Sequence, residues 1–134
     1  MNTVDRQVYA AMVNDMSSHI HLINVKAGWW TDKDLGEVKE SPALLKYFIG
    51  AKLGLVHSEV SEAMEGYRKG LMDDHLKDRR MVEVELADTF IRIFDLAGAL
   101  NLDLGGAIID KIAYNEKRVD HTKEARESTG GKSF

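Results

Sequence analysis

Two pairs of acidic residues stand where their own helices offer little to offset them. In "HSEVSEAMEGYRK", residues 57–69, Glu59, Glu62 and Glu65 recur at three-residue spacing. Helical neighbours lie three and four residues apart, so Glu65 has the cations Arg68 and Lys69, the arrangement of an exposed carboxylate. Glu59 and Glu62 have only Leu55, Val56, Ser58, Ala63, Gly66 and other glutamates. The second pair lies in "MVEVELADTFIRIFDLAGAL", where Glu85 and Asp88 fall about 60° apart around a helix axis, beside Met81, Val84 and Ile91. Glu85 has no basic residue at either offset, and Asp88 has Arg92 four residues on. A lone pair of glutamates is expected to face water. Two acidic pairs sharing a groove between helices would repel each other, or hold protons, unless divalent cations sat between them. Oxygen-only ligation suits magnesium, manganese or calcium rather than zinc or copper. Glu59, Glu62, Glu85 and Asp88 are therefore expected to be metal ligands, and Glu65 a surface residue.

The elements that must position these acids read as helices, because apolar residues recur at helical spacing and there is one proline. The expected fold is all-α, with four main helices in a bundle and a single domain over residues 1–134. The first helix is expected from about Val4 to Ala27, stopped at Gly28. "GWWTDKDLGEVKE" is then a polar connection. Ser41 and Pro42 supply a cap and a first-turn proline for a second helix running to Lys69 and ending at Gly70. Gly50 and Gly54 within it suggest close packing or a bend. A third helix is expected from about Arg79 to Leu100, and a fourth, capped by Asp103, from about Leu104 to Arg126, with a flexible tail from about residue 127. Val82, Val84, Leu86, Phe90, Ile91, Ile93, Phe94 and Leu96 leave the third helix almost no polar face, so it is expected to be buried on most sides. One small bundle has difficulty covering such a helix, which predicts a homodimer or homotetramer.

Composition narrows the classes. The chain has 134 residues, 44% hydrophobic and 30% charged, enough for a core of its own. A formal charge of -4 argues against general nucleic-acid binding, which needs a basic footprint. With no cysteine, disulfides, zinc-thiolate centres and thiol nucleophiles are excluded. No stretch reaches the length of a membrane span, and the expected compartment is the cytoplasm. A Glu-x-x-His element, as ferritin-like di-iron sites use, is absent from the sequence.

The acidic motifs carry a family resemblance. E-x-x-E followed by E-x-x-D, here Glu59, Glu62, Glu85 and Asp88, resembles the motif of the MazG-like all-α nucleoside triphosphate pyrophosphohydrolases. Downstream, "DKIAYNEKR" is similar to the family's K-x-x-x-N-x-x-R element, through Lys111, Asn115 and Arg118. The similarity spans roughly Lys52 to Arg118, about half the chain. It implies magnesium-dependent hydrolysis of a nucleoside triphosphate to monophosphate and pyrophosphate, as in nucleotide-pool house-cleaning, by a symmetric dimer or tetramer. Manganese is a possible substitute. Lys111, Asn115 and Arg118, at offsets of four and three, are placed on one side of the fourth helix for phosphate or sugar contacts.

Base contacts are expected from Trp30, whose indole can stack on a base, and from Asn24, with His21 beside it. As an alternative, the paired tryptophans Trp29 and Trp30 are packing anchors. The terminal "TGGKS" is not a phosphate-binding loop, since Arg126 stands where its first glycine belongs, although Lys132 could fold over a triphosphate. A dUTP or phosphoribosyl-ATP hydrolase on the same scaffold, or a non-catalytic helical oligomerisation module, are the competing functions.

Overall fold

The computed structural model describes residues 2–34, 36–128 and 130. Lys132 lies outside them. The described chain is all-α, with helices α1 (Thr3–Lys26), α2 (Pro42–Lys69), α3 (Met81–Ala99), α4 (Leu104–Glu116) and α5 (Lys123–Glu127). Among the described residues, no helix is long and apolar enough to cross a membrane.

Local chemistry fixes the ends of α2. The Ser41 hydroxyl accepts the Leu44 amide at 3.3 Å, Pro42 fills the first turn, and Gly70 closes the helix in the left-handed region at φ 64°. Asp103 caps α4 in the same way, through the Gly106 amide at 2.9 Å. The connection after α1 is more ordered than its polarity suggests. Strands β1 (Thr31–Asp32) and β2 (Gly36–Glu37) pair antiparallel, and a 3-10 turn at Val38–Glu40 leads into α2. The fourth helix is shorter than expected. It ends at Glu116, and a 3-10 turn at Val119–His121 separates it from α5. Arg118 adopts an extended conformation there and forks onto Asp120 at 2.9 and 2.5 Å, a local pair that draws the chain out of the helix.

The chain forms two compact units, one of Met1–Asn14 with Asp103–Phe134 and the other of Asp15–Leu102. In the first, Asn14 ties the start of α4 to α1, donating to Asp103 Oδ1 at 2.7 Å and accepting the Gly105 amide at 2.8 Å. In the second, Trp30, Val38 and Leu96 form the buried centre, with Leu44, Leu45 and Phe48 packed against it.

Helices α2 and α3 run antiparallel in this second unit, in a register that three contacts define. Lys52 meets Asp95, Glu59 approaches Asp88, and Gly66 meets Met81, each a step of seven residues forward along α2 and back along α3. Two turns separate the layers, about 10 Å. The close approach expected at Gly50 or Gly54 occurs instead at Gly66, where an added Cβ would come within 2.8 Å of Met81 Cγ.

Helix α3 also departs from the expectation of burial on most sides. Its inward face carries Glu85, Thr89 and Asp95 along with Phe94, Leu96 and Ala97, while Leu86, Phe90 and Ile91 are exposed, Phe90 at 57%. Three polar groups are thus buried together with apolar ones while large apolar side chains are left exposed, unlike the ordinary surface helix.

Candidate metal centre and its cavity

The middle layer gathers the acids. Glu59, Glu85 and Asp88 each present a carboxylate oxygen, all within 4.8 Å of one another, and the two glutamates are buried. Such crowding raises proton affinity. Burial, a hydrogen bond shared with Glu59, and the negative charges of Glu62, Glu59 and Asp88 push Glu85 up to about 7. Burial and Glu59 also raise Asp88, against the opposing pull of Arg92. Glu62 is exposed and outside this triad, yet near enough for its charge to act on Glu85. Glu65 pairs with Arg68 at 3.2 Å and with Lys69, as its helical offsets imply.

The cation that balances Glu59 comes from the neighbouring helix. Arg92, which spacing alone assigns to Asp88, sends Nε and Nη2 to Glu59 Oε1, both at 2.6 Å. Counting offsets within one helix cannot find such a partner.

Asp88 and Arg92 form one wall of a cavity of about 810 Å³ within the second unit. Asn24, Trp29, Lys33, Lys52 and Leu55 line other parts of it. Trp30, expected beside Asn24 as a base contact, is not among the residues that line it. Trp30 is 1% exposed, its Nε1 donates to Asp95 at 2.8 Å, and its ring packs against His21 and Phe48, so no face remains for a base. Trp29 is 66% exposed and lines the cavity. His21 is also committed, with Nδ1 bonded to Asp95 at 2.9 Å and Nε2 to Lys39 at 2.6 Å.

The end layer holds a feature that helical spacing did not single out. Asp95, 2% exposed, takes hydrogen bonds from His21 and Trp30 on Oδ1 and from Lys52 on Oδ2, the last at 3.0 Å. Burial pushes its carboxyl up, and these three donors more than offset it, holding Asp95 below the usual carboxylate range. An acid within the apolar run "IRIFDLAGAL" was the available signal, because a buried carboxylate requires donors around it.

The remaining candidates belong to the first unit. Lys111 is exposed on α4, with Nζ 4.6 Å from the Tyr114 ring centre. Asn115 lies one turn on, and its Oδ1 is buried with no hydrogen-bond partner among the described residues. Arg118 lies beyond the end of α4, so the three do not share one helical face. Its pairing with Asp120 explains its position.

Compared with known proteins, the chain matches no family model, no curated protein and no solved structure.

Proposed function

We propose that the protein is a magnesium-dependent nucleoside triphosphate pyrophosphohydrolase, releasing the monophosphate and pyrophosphate. The observation that carries this reading is the oxygen triad of Glu59, Glu85 and Asp88, of which Asp88 lines a cavity that also offers an exposed indole and the cations Lys33 and Lys52.

The donor set fits a hard divalent cation. It is all carboxylate, and its crowding holds Glu85 near neutrality, a strain that positive charge would relieve. Glu59, Glu85 and Asp88, completed by Glu62, would hold magnesium, which when bound supplies charge neutralisation for the triphosphate and an activated water. The protein's own residues supply position. Arg92 fixes Glu59 while sharing the cavity wall with Asp88, and Trp29 offers a face for a base. In this proposal Asn24 contacts the nucleoside, while a phosphate or sugar role for Lys111, Asn115 and Arg118 rests on the motif resemblance alone.

The exposed apolar side chains of α3 support a homodimer or homotetramer. Leu86, Phe90 and Ile91, with Met64 and Tyr67 of α2 also exposed, offer apolar surface suited to a second copy. A purely structural oligomerisation module would not need buried acids beside a cavity. The test is a panel of canonical and modified nucleoside triphosphates with millimolar magnesium, reading monophosphate and pyrophosphate. Turnover of at least one, abolished by chelation, is expected. Absence of turnover across the panel would reject the assignment.

A further inference from the structure

The end layer of the α2/α3 register points to how the cavity selects its ligand. An ammonium has three N–H donors. Lys52 gives one to Asp95 Oδ2 at 3.0 Å, and Nζ lies 4.4 Å from the Trp30 ring centre, so the indole face takes a second. The side chain is 15% exposed and lines the cavity, which is where its remaining donor can find an acceptor. Asp95 also lines the cavity, but its Oδ1 already accepts from His21 and Trp30 and its Oδ2 from Lys52, so the carboxylate is largely engaged and the ammonium balances its charge. At this end the cavity therefore presents a held cationic donor beside a carboxylate that three protein donors already engage.

We propose that Lys52, held by Asp95 and Trp30, is a specificity-determining residue that donates to a keto oxygen on the far edge of the bound base. The substrate class is nucleotides of uracil, thymine, guanine or hypoxanthine, in preference to cytosine or adenine. The register supplies the geometry. Lys52 and Asp95 lie two turns from Glu59 and Asp88, about 10 Å, comparable to the reach from a phosphate at the acids to the distal edge of its base. That edge carries oxygen in the first group and an amino group in the second. An amino group would confront the ammonium donor to donor, leaving both unsatisfied. Asp95, His21 and Trp30 are positioning residues here, and Lys39 completes the chain by donating to His21 Nε2, which leaves the proton on Nδ1 for Asp95.

This inference rests on the proposed nucleotide site, and the experiment separates the two. The parent, Lys52→Met and Lys52→Gln are compared on dUTP against dCTP and on dITP against dATP with magnesium, measuring kcat/KM and, by calorimetry, Kd. Glutamine guards against misfolding, since its amide can still bond Asp95, and melting temperatures verify both variants. A charged hydrogen bond of this kind predicts about 10- to 100-fold preference for the keto member of each pair in the parent. Both variants should reduce it to within a few-fold. Equal handling of each pair by the parent, or an equal loss on all four nucleotides in the variants, as a phosphate contact would give, overturns the proposal. If nothing is hydrolysed but keto nucleotides bind preferentially through Lys52, the inference stands and the hydrolase assignment falls. If none of the four binds, both fall.

Discussion

Arg92 crosses from α3 to bond Glu59 of α2, with two guanidinium nitrogens 2.6 Å from one carboxylate oxygen. Arg92 also pulls against the rise at Asp88, whereas no cation is among the causes acting on Glu85, which burial and the neighbouring acids push up to about 7. Replacing Arg92 with methionine should destabilise the metal-free protein. Loss of a partner from a buried pair costs about 3–5 kcal/mol, but Arg92 keeps solvent contact, so about 1–2 kcal/mol is expected. Thermal melts should show a larger loss at pH 8 than at pH 5.5, where a proton on Glu85 relieves the repulsion, and saturating magnesium should restore part of it.

The pH dependence has a definite sign. Glu85 has an ordinary value of 4.5 and is raised to about 7 in the fold, so the native state binds the proton more tightly than the unfolded chain. Stability from this group is therefore present below about 4.5 and is lost as pH rises to about 7. In metal-free protein the melting temperature should fall across that window. Glu85→Gln should remove this component and melt above the parent at pH 8. A parent that grows more stable from pH 5 to 7, with Glu85→Gln following the same curve, would contradict the crowded-acid description.

The two tryptophans should separate cleanly. Trp30→Ala removes a buried indole and leaves Asp95 short of one donor, so a loss of about 3–5 kcal/mol is expected in denaturant titrations. Trp29→Ala should leave stability nearly unchanged and raise KM about tenfold, the scale of one base–indole stack. Unchanged KM in the Trp29 variant would remove the base from that wall.

Lys111 tests the phosphate assignment. Alanine there should lower kcat for every base alike, because a phosphate contact is common to all nucleotides and strengthens as charge develops on the leaving group. Losses that differ by base would reassign Lys111.

Much of the scaffold is legible in the sequence, and what is missed has a common cause. Ser41, Pro42 and Gly70 act through their nearest neighbours, so the bounds of α2 can be read directly. The spacing of Glu59, Glu85 and Asp88 identifies the acids because two helices must each turn one face inward. The Glu59 to Arg92 pair, the Asp95 network and the exchange of Trp29 for Trp30 all depend on how α1, α2 and α3 are placed side by side in the second unit. Adjacent residues in a turn differ in burial by the direction of a single side chain, and offsets along one helix hold no information about its neighbour. The end of α4 at Glu116 is similar in kind. With no glycine or proline to mark it, the break rests on the Arg118 to Asp120 pair, which becomes visible only once the chain has turned.

The most direct measurement follows the phosphorus products of nucleoside triphosphate hydrolysis by nuclear magnetic resonance, with magnesium and with chelator, for the parent and single-amide variants. The parent with magnesium should yield monophosphate and pyrophosphate and no free diphosphate. Glu59→Gln, Glu62→Gln, Glu85→Gln and Asp88→Asn should each fall by more than the 10- to 100-fold that loss of an outer metal partner costs, while Glu65→Gln stays within about threefold. Diphosphate with orthophosphate as products, turnover that survives chelation, or a Glu65 variant as inactive as the Glu85 variant would contradict the account.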